Sequence, residues 1–174
     1  MGEPTTPLPE DDVGRADERT TLIGFLDFYR AVLARKREGL TEEQARVAAC
    51  PPSDLTLLGV VRHMADVERS WAQRAFRGGS SPPIFYGDAH PDGDVDGDFH
   101  APTGATIAEA FEAYWAEIAA ADEVYAAAQL DDVERHERSR HSLRWILVHL
   151  IEEYARHCGH ADLLREAVDG TTGD

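Results

Sequence analysis

Cysteine, basic residues and long apolar runs are all scarce in this chain, and each shortage closes a class of function. Two cysteines in 174 residues, Cys50 and Cys158, make neither a disulfide framework nor a CxxC pair. That excludes a disulfide-stapled scaffold and an all-cysteine zinc site. Seventeen lysines and arginines stand against 33 aspartates and glutamates, and the formal charge of -16 repels phosphate backbones and anionic lipid surfaces. Nucleic acid and membrane are therefore not expected as partners. No run approaches the roughly 20 apolar residues of a membrane span. The opening MGEPTTPLPEDDVGRADERT has no basic or apolar leader region, so the expectation is a cytoplasmic protein. Alternating strand patterns, internal repeats and glycine-rich phosphate-binding signatures are missing as well.

What remains is helical. Residues 1–16 are polar with three prolines and read as a flexible N-terminal arm, and residues 17–174 read as a single domain. In ERTTLIGFLDFYRAVLARKREGL, the side chains Leu22, Phe25, Leu26, Tyr29, Val32 and Leu33 recur at helical spacing, with basic residues toward the C-terminal end. A short extra helix near residues 41–49 starts at Thr41, and CPPSD ends it. A second long helix, capped by Ser53 or Asp54, carries Leu57, Val60, Val61, Met64, Trp71 and Ala75 on one face and stops at Gly78 and Gly79. Thr106 and Glu109 form a capping box at the head of the third, and the fourth runs from Ser142 to Gly170. Four amphipathic helices make an all-α four-helix bundle, a fold that builds its sites from facing helices.

The long loop between the second and third helices, residues 78–105, contains DGDVDGD at Asp92–Asp98, which matches the start of an EF-hand loop. Its twelfth position is Thr103 where a bidentate glutamate belongs, so the stretch reads as a solvated acidic loop at the rim of a pocket. Phe85, Tyr86 and Phe99 give it the means to select a substrate.

Three of the eight histidines crowd into HLIEEYARHCGH, residues 149–160. At about 100° per residue, with Ile146 at zero, Leu143, Leu147, Leu150, Ile151, Tyr154 and Cys158 span about 40° to 140° and face the core. His157 lies near 20° and Glu153 near -20°, one turn apart at the edge of that arc, while His149 and His160 lie near -60° and -40°. Glu153 and His157 therefore converge where a bundle interior begins. A divalent site needs a third donor, and His63, beside the apolar face of the second helix, offers one. On spacing alone His149 and His160 are equally eligible ligands, and every one of these histidines also fits a plain hydrogen-bonded role. His90, His100, His136 and His141 read as surface residues in loops or at helix ends. Glu68, inside the apolar face of its helix, either orients a ligand or pairs with Arg144 or Arg69. Cys158 reads as a small core residue rather than a nucleophile.

Together, LLGVVRHMADVERSW and SLRWILVHLIEEYARHCGHADLLREAVDGTTG resemble the DinB-like superfamily of metal-binding four-helix bundles. Within it they resemble the branch that includes mycothiol-dependent maleylpyruvate isomerase and bacterial thiol S-transferases. The resemblance covers residues 20 to 173. It implies a metal on His63, Glu153 and His157, with glutamate at the position where most superfamily members carry histidine. His149, His160 and Glu68 then line or support the site. The implied cofactor is a divalent ion, Zn²⁺ first and Ni²⁺ or Fe²⁺ next, since two imidazoles and a carboxylate suit all three. The implied activity is that of a metal-dependent S-transferase or isomerase, with a low-molecular-weight thiol such as mycothiol as cosubstrate, an electrophile as its partner and a homodimer as the assembly. The rival reading is a non-catalytic, stress-associated bundle that binds a metal or small ligand. Metal-assisted hydrolysis would need a general base, for which Glu68 and Asp66 are the candidates.

Overall fold

The computed structural model describes residues 14–135 and 140–173. In chain order the elements are α1 (Glu18–Arg35), α2 (Glu42–Ala45), α3 (Leu57–Arg69), a π-helical continuation (Ser70–Phe76), a 3-10 turn (Gly87–Ala89), α4 (Ile107–Ala126) and α5 (Leu143–Asp169). The expected all-α bundle is present. Among the described residues the only β pairing is an isolated bridge between Val133 and Ser142. None of the described helices is long and apolar enough to cross a membrane.

Local chemistry sets most helix ends. Asp17 caps α1, Thr41 with Gln44 and Thr106 with Glu109 close capping boxes on α2 and α4, and Ser142 caps α5. Each cap gives a partner to an amide that the helix itself leaves unsatisfied. Gly170 ends α5 at φ 80, a left-handed conformation that glycine adopts without steric cost. Two expectations are corrected. Helix α2 spans only four residues, because the 41–49 segment turns away after a single helical turn. Helix α3 is capped by Thr56, whose side chain accepts from Gly59 N–H, whereas Ser53 accepts from Leu55 N–H in the preceding turn. A Ser or Asp ahead of a helix is a good cap only if the chain enters the helix at that residue.

α3 packs on α4 and on α5, and α1 packs on α5. Leu26, Leu33, Leu58, Met64, Ile146, Leu147 and Leu150 are fully buried between them. The core also holds a polar network. Glu68 is completely buried, receives Nε and Nη2 of Arg30 at 2.7 and 2.8 Å, and accepts the Tyr154 hydroxyl at 2.7 Å. The network ties α1, α3 and α5 together. It fixes the rotation of α5 against α3, because Tyr154 stands between Glu153 and His157 in sequence and Glu68 lies five residues beyond His63.

Candidate metal centre

The three donors come from two helices. His63 projects from the middle of α3, and Glu153 and His157 project from successive turns of α5. One ligand atom from each lies within 4.8 Å of the others. His157 Nε2 is 3.6 Å from Glu153 Oε2, and the His63 and His157 rings are 4.7 Å apart. A tetrahedral ion with bonds of about 2.0–2.2 Å holds its donors about 3.3–3.6 Å apart, so small rotamer changes close the set around one cation.

Electrostatics favour donor forms. Burial first, then the neighbouring His63, His160 and Arg156, push the His157 imidazolium pKa down to about 3. Its ring is thus neutral, with a lone pair to give, throughout the physiological range. His63 is oriented by a carboxylate that the sequence did not single out. Asp98 Oδ2 lies 2.8 Å from His63 Nδ1, and Asp98 is 7% exposed. A carboxylate partner on Nδ1 holds the proton there and leaves Nε2 free as the donor, the arrangement that commonly backs metal-binding imidazoles.

Asp98 is itself held in place. Arg62 Nε and Nη2 donate to the carbonyls of Asp98 and Gly97 at 3.1 and 2.8 Å, and its guanidinium covers the Phe85 ring at 4.1 Å. One turn along, Asp66 accepts the amides of Ile84 and Phe85 at 2.7 and 3.0 Å. Adjacent turns of α3 thus clamp both the start and the end of the loop. Phe99 stacks on His63 with ring centres 4.2 Å apart. Its backbone lies so close to α3 that a Cβ at position 59 would collide with the Phe99 carbonyl, which is why glycine stands there.

The remaining expected residues sort as follows. His149 Nε2 is 3.4 Å from Glu153 Oε1, and its ring stacks on Trp145 and meets the edge of Trp71. With Glu152 and Glu153 it makes a second, more exposed donor group. His160 Nδ1 is 3.4 Å from His157 Nδ1, on the side of that ring away from Glu153. Both flank the three donors without joining them. Glu68 pairs with Arg30, not with Arg144 or Arg69, which bind Glu18 with Asp131 and Glu117 respectively. His90 is buried against Gly97 rather than on the surface, and His136 lies outside the described residues. His100 is exposed and paired with Asp94, and His141 with Glu134. The EF-hand-like run does not converge on a point, because Asp94 goes to His100 and Asp98 to His63. Cys158 is buried, its thiol donates to the Tyr29 carbonyl, and burial pushes its pKa up to about 12, so it is inert as a nucleophile.

A cavity of about 250 Å³ opens beside His63, between α3 and the clamped loop. A larger one of about 740 Å³, bordered by Phe76, Arg77 and Arg135, contains none of the three donors. The π-helical turns shape the smaller one. Arg77 N–H reaches the Ala72 carbonyl five residues back, and this wider winding buries Ala72 and Phe76 while leaving Trp71 and Ala75 half-exposed. Trp71, expected on the core face, packs against the core and also lines the cavity.

The chain is a member of the DinB-like superfamily. More narrowly, it belongs to the mycothiol S-transferase family, whose model matches residues 21–170. No curated protein matches the chain.

Proposed function

We propose that this protein is a metal-dependent S-transferase that joins mycothiol to an electrophile, with a divalent cation held by His63, Glu153 and His157. One observation carries the reading: three donors from two helices lie within 4.8 Å of one another beside a cavity. Family membership supplies the thiol. Two imidazoles and one carboxylate leave a coordination position open, the pattern of catalytic rather than structural zinc, and Ni²⁺ and Fe²⁺ suit the same donors. A dication there would supply Lewis acidity, making the thiol sulfur available as thiolate at neutral pH.

The chain's own residues prepare for that. Asp98 pairs with Nδ1 of His63 and leaves its Nε2 free, burial keeps His157 unprotonated, and Glu153 contributes negative charge that offsets part of a dication's. Phe99 covers His63 from the loop side and keeps water from that face. In the transfer, the sulfur electron pair forms the new carbon–sulfur bond, the acceptor's leaving group departs with its bonding pair, and the thiol proton passes to solvent. Hydrolysis is the poorer fit. Both oxygens of Asp66 are bound to backbone amides and Glu68 is enclosed with Arg30 and Tyr154, so neither stands free to activate water.

The test is metal content by mass spectrometry together with mycothiol consumption in the presence of electrophiles, for wild type, His63→Ala and His157→Ala. About one equivalent of zinc, nickel or iron, lost in both variants along with turnover, is the expected result. Metal binding without any thiol consumption would instead favour the non-catalytic binding protein. Equal rates in all three proteins would refute the role of these residues.

A further inference from the structure

Glu153 faces two imidazoles. Its Oε2 lies 3.6 Å from His157 Nε2, and its Oε1 lies 3.4 Å from Nε2 of His149, one turn back along α5. His149 Nδ1 is in turn 3.4 Å from Glu152 Oε2, so both nitrogens of that ring look onto carboxylates. One ligand atom from each of His149, Glu152 and Glu153 lies within 4.8 Å of the others, as in the first centre. The separations are long for hydrogen bonds, which hold nitrogen about 2.7–3.2 Å from oxygen. They match the about 3.3–3.6 Å between two donors on one small cation.

The His149 ring is held in this position by its neighbours. It stacks on Trp145 with ring centres 5.0 Å apart and meets the edge of Trp71 at 4.7 Å. The same 4.7 Å separates the His63 and His157 rings, two turns along the same pair of helices. At the first position α3 supplies an imidazole, and at the second it supplies an indole, which walls the ring without giving a lone pair. Arg156 competes for the carboxylates: it pairs with Glu152 Oε1 and stands 3.8 Å from Glu153 Oε2. The oxygens that face His149 are the other two, Glu152 Oε2 and Glu153 Oε1, so the guanidinium leaves the imidazole side open.

We infer that His149, Glu152 and Glu153 hold a second divalent transition-metal ion, such as Zn²⁺ or Ni²⁺, with Glu153 shared between the two ions. An imidazole beside carboxylates suits ions of this kind. All three donors come from one helix, Glu152 is half-exposed and a first dication lies nearby, so this is the weaker site. The word second rests on the centre proposed above; the donor set itself does not, and neither depends on the transfer reaction.

Equilibrium dialysis of untagged, full-length, metal-free protein against Zn²⁺ counts the ions. Wild type should take up about two equivalents, one tight and one weak. His63→Ala should lose the tight equivalent and keep the weak one, and His149→Ala should do the reverse. Glu152 is half-exposed, so Glu152→Gln should fold normally. It should weaken the second equivalent at least about tenfold, the loss that even an outer partner of a metal commonly causes. Glu153→Gln should weaken both. A single equivalent in wild type would overturn the inference and leave His149 as an ion-paired imidazole. A weak equivalent unchanged in both His149→Ala and Glu152→Gln would overturn it too, as surface zinc held elsewhere. Loss of the tight equivalent in His149→Ala would do so by placing that residue in the first centre. If His63→Ala takes up as much zinc as wild type while His149→Ala loses an equivalent, the His149 site stands and the centre proposed above fails.

Discussion

Removing the Asp98 side chain tests the centre most directly, because Asp98 touches a donor without being one. In Asp98→Ala, His63 loses its Nδ1 partner at 2.8 Å and the Phe99 amide loses its contact with Oδ1. The loop itself stays anchored, since Arg62 binds backbone carbonyls and Asp66 binds backbone amides, all of which alanine leaves in place. A carboxylate behind a metal-binding imidazole is commonly worth about 10–100-fold in metal affinity. That corresponds to about 1.4–2.7 kcal/mol. Asp98 is buried and its contact is short, which puts the expected loss for alanine in the upper half of that range, about 30–100-fold. Asp98→Asn keeps a neutral acceptor and should lose about tenfold. Zinc affinity measured by competition with a chromophoric chelator gives the ratio, and melting of the metal-free proteins serves as the control. A change below about threefold with matched melting temperatures would refute the orienting role. A large fall in melting temperature would mean that the loop had collapsed, and the geometric argument would fail with it.

Two other outcomes follow from contacts away from the donors. Glu68→Gln leaves the Arg30 guanidinium buried with only Asp27 and Asp122, both half-exposed, as charged partners. The cost should sit near the lower end of the 3–5 kcal/mol typical of breaking a buried pair, about 3 kcal/mol. In a chain of this size that lowers the melting temperature by about 6–12 °C, and a calorimetric shift under about 2 °C would contradict it. His100 titrates above its ordinary 6.5 because Asp94 holds its ring at 2.6 Å, and the same contact lowers Asp94 below 3.8. The pair's stabilisation of the loop is therefore fully present between those two ordinary values. It fades as pH rises through the raised His100 pKa or falls through the lowered Asp94 pKa. NMR titration should move the His100 midpoint down in Asp94→Asn, with Asp54 at 3.4 Å still raising it, and an unshifted wild-type midpoint would refute the pairing.

The parts of this fold that were legible in the sequence are those that depend on near neighbours. Thr106 with Glu109, Ser142 and Gly170 marked helix ends because capping acts over three or four residues. Glu153 and His157 stood out because helical periodicity places them together, and His63 became their partner through the resemblance. Contacts that span the chain left no such mark. Asp98 is 35 residues from His63 and sits in an acidic stretch that looks solvated, while Arg30 is 38 residues from Glu68. Trp71 packs against the core as the wheel predicts, and what the wheel did not show is that its ring also borders the cavity where the helix widens after Arg69. His90 looked like a surface histidine, and its burial depends on the missing side chain at Gly97, which no local rule connects to it.

Gly59 gives the centre an unusual kind of tolerance. The Phe99 carbonyl rests on α3 where a hydrogen atom replaces a methyl group, so the height of the loop above His63 is gauged by backbone against backbone. Sequence drift along the loop is then cheap as long as that seat is kept. A single added carbon at position 59, one helical turn from His63, would lift the Phe99 ring from the imidazole and register as a defect in metal binding. A residue with no side chain thus sets the position of one that covers the site.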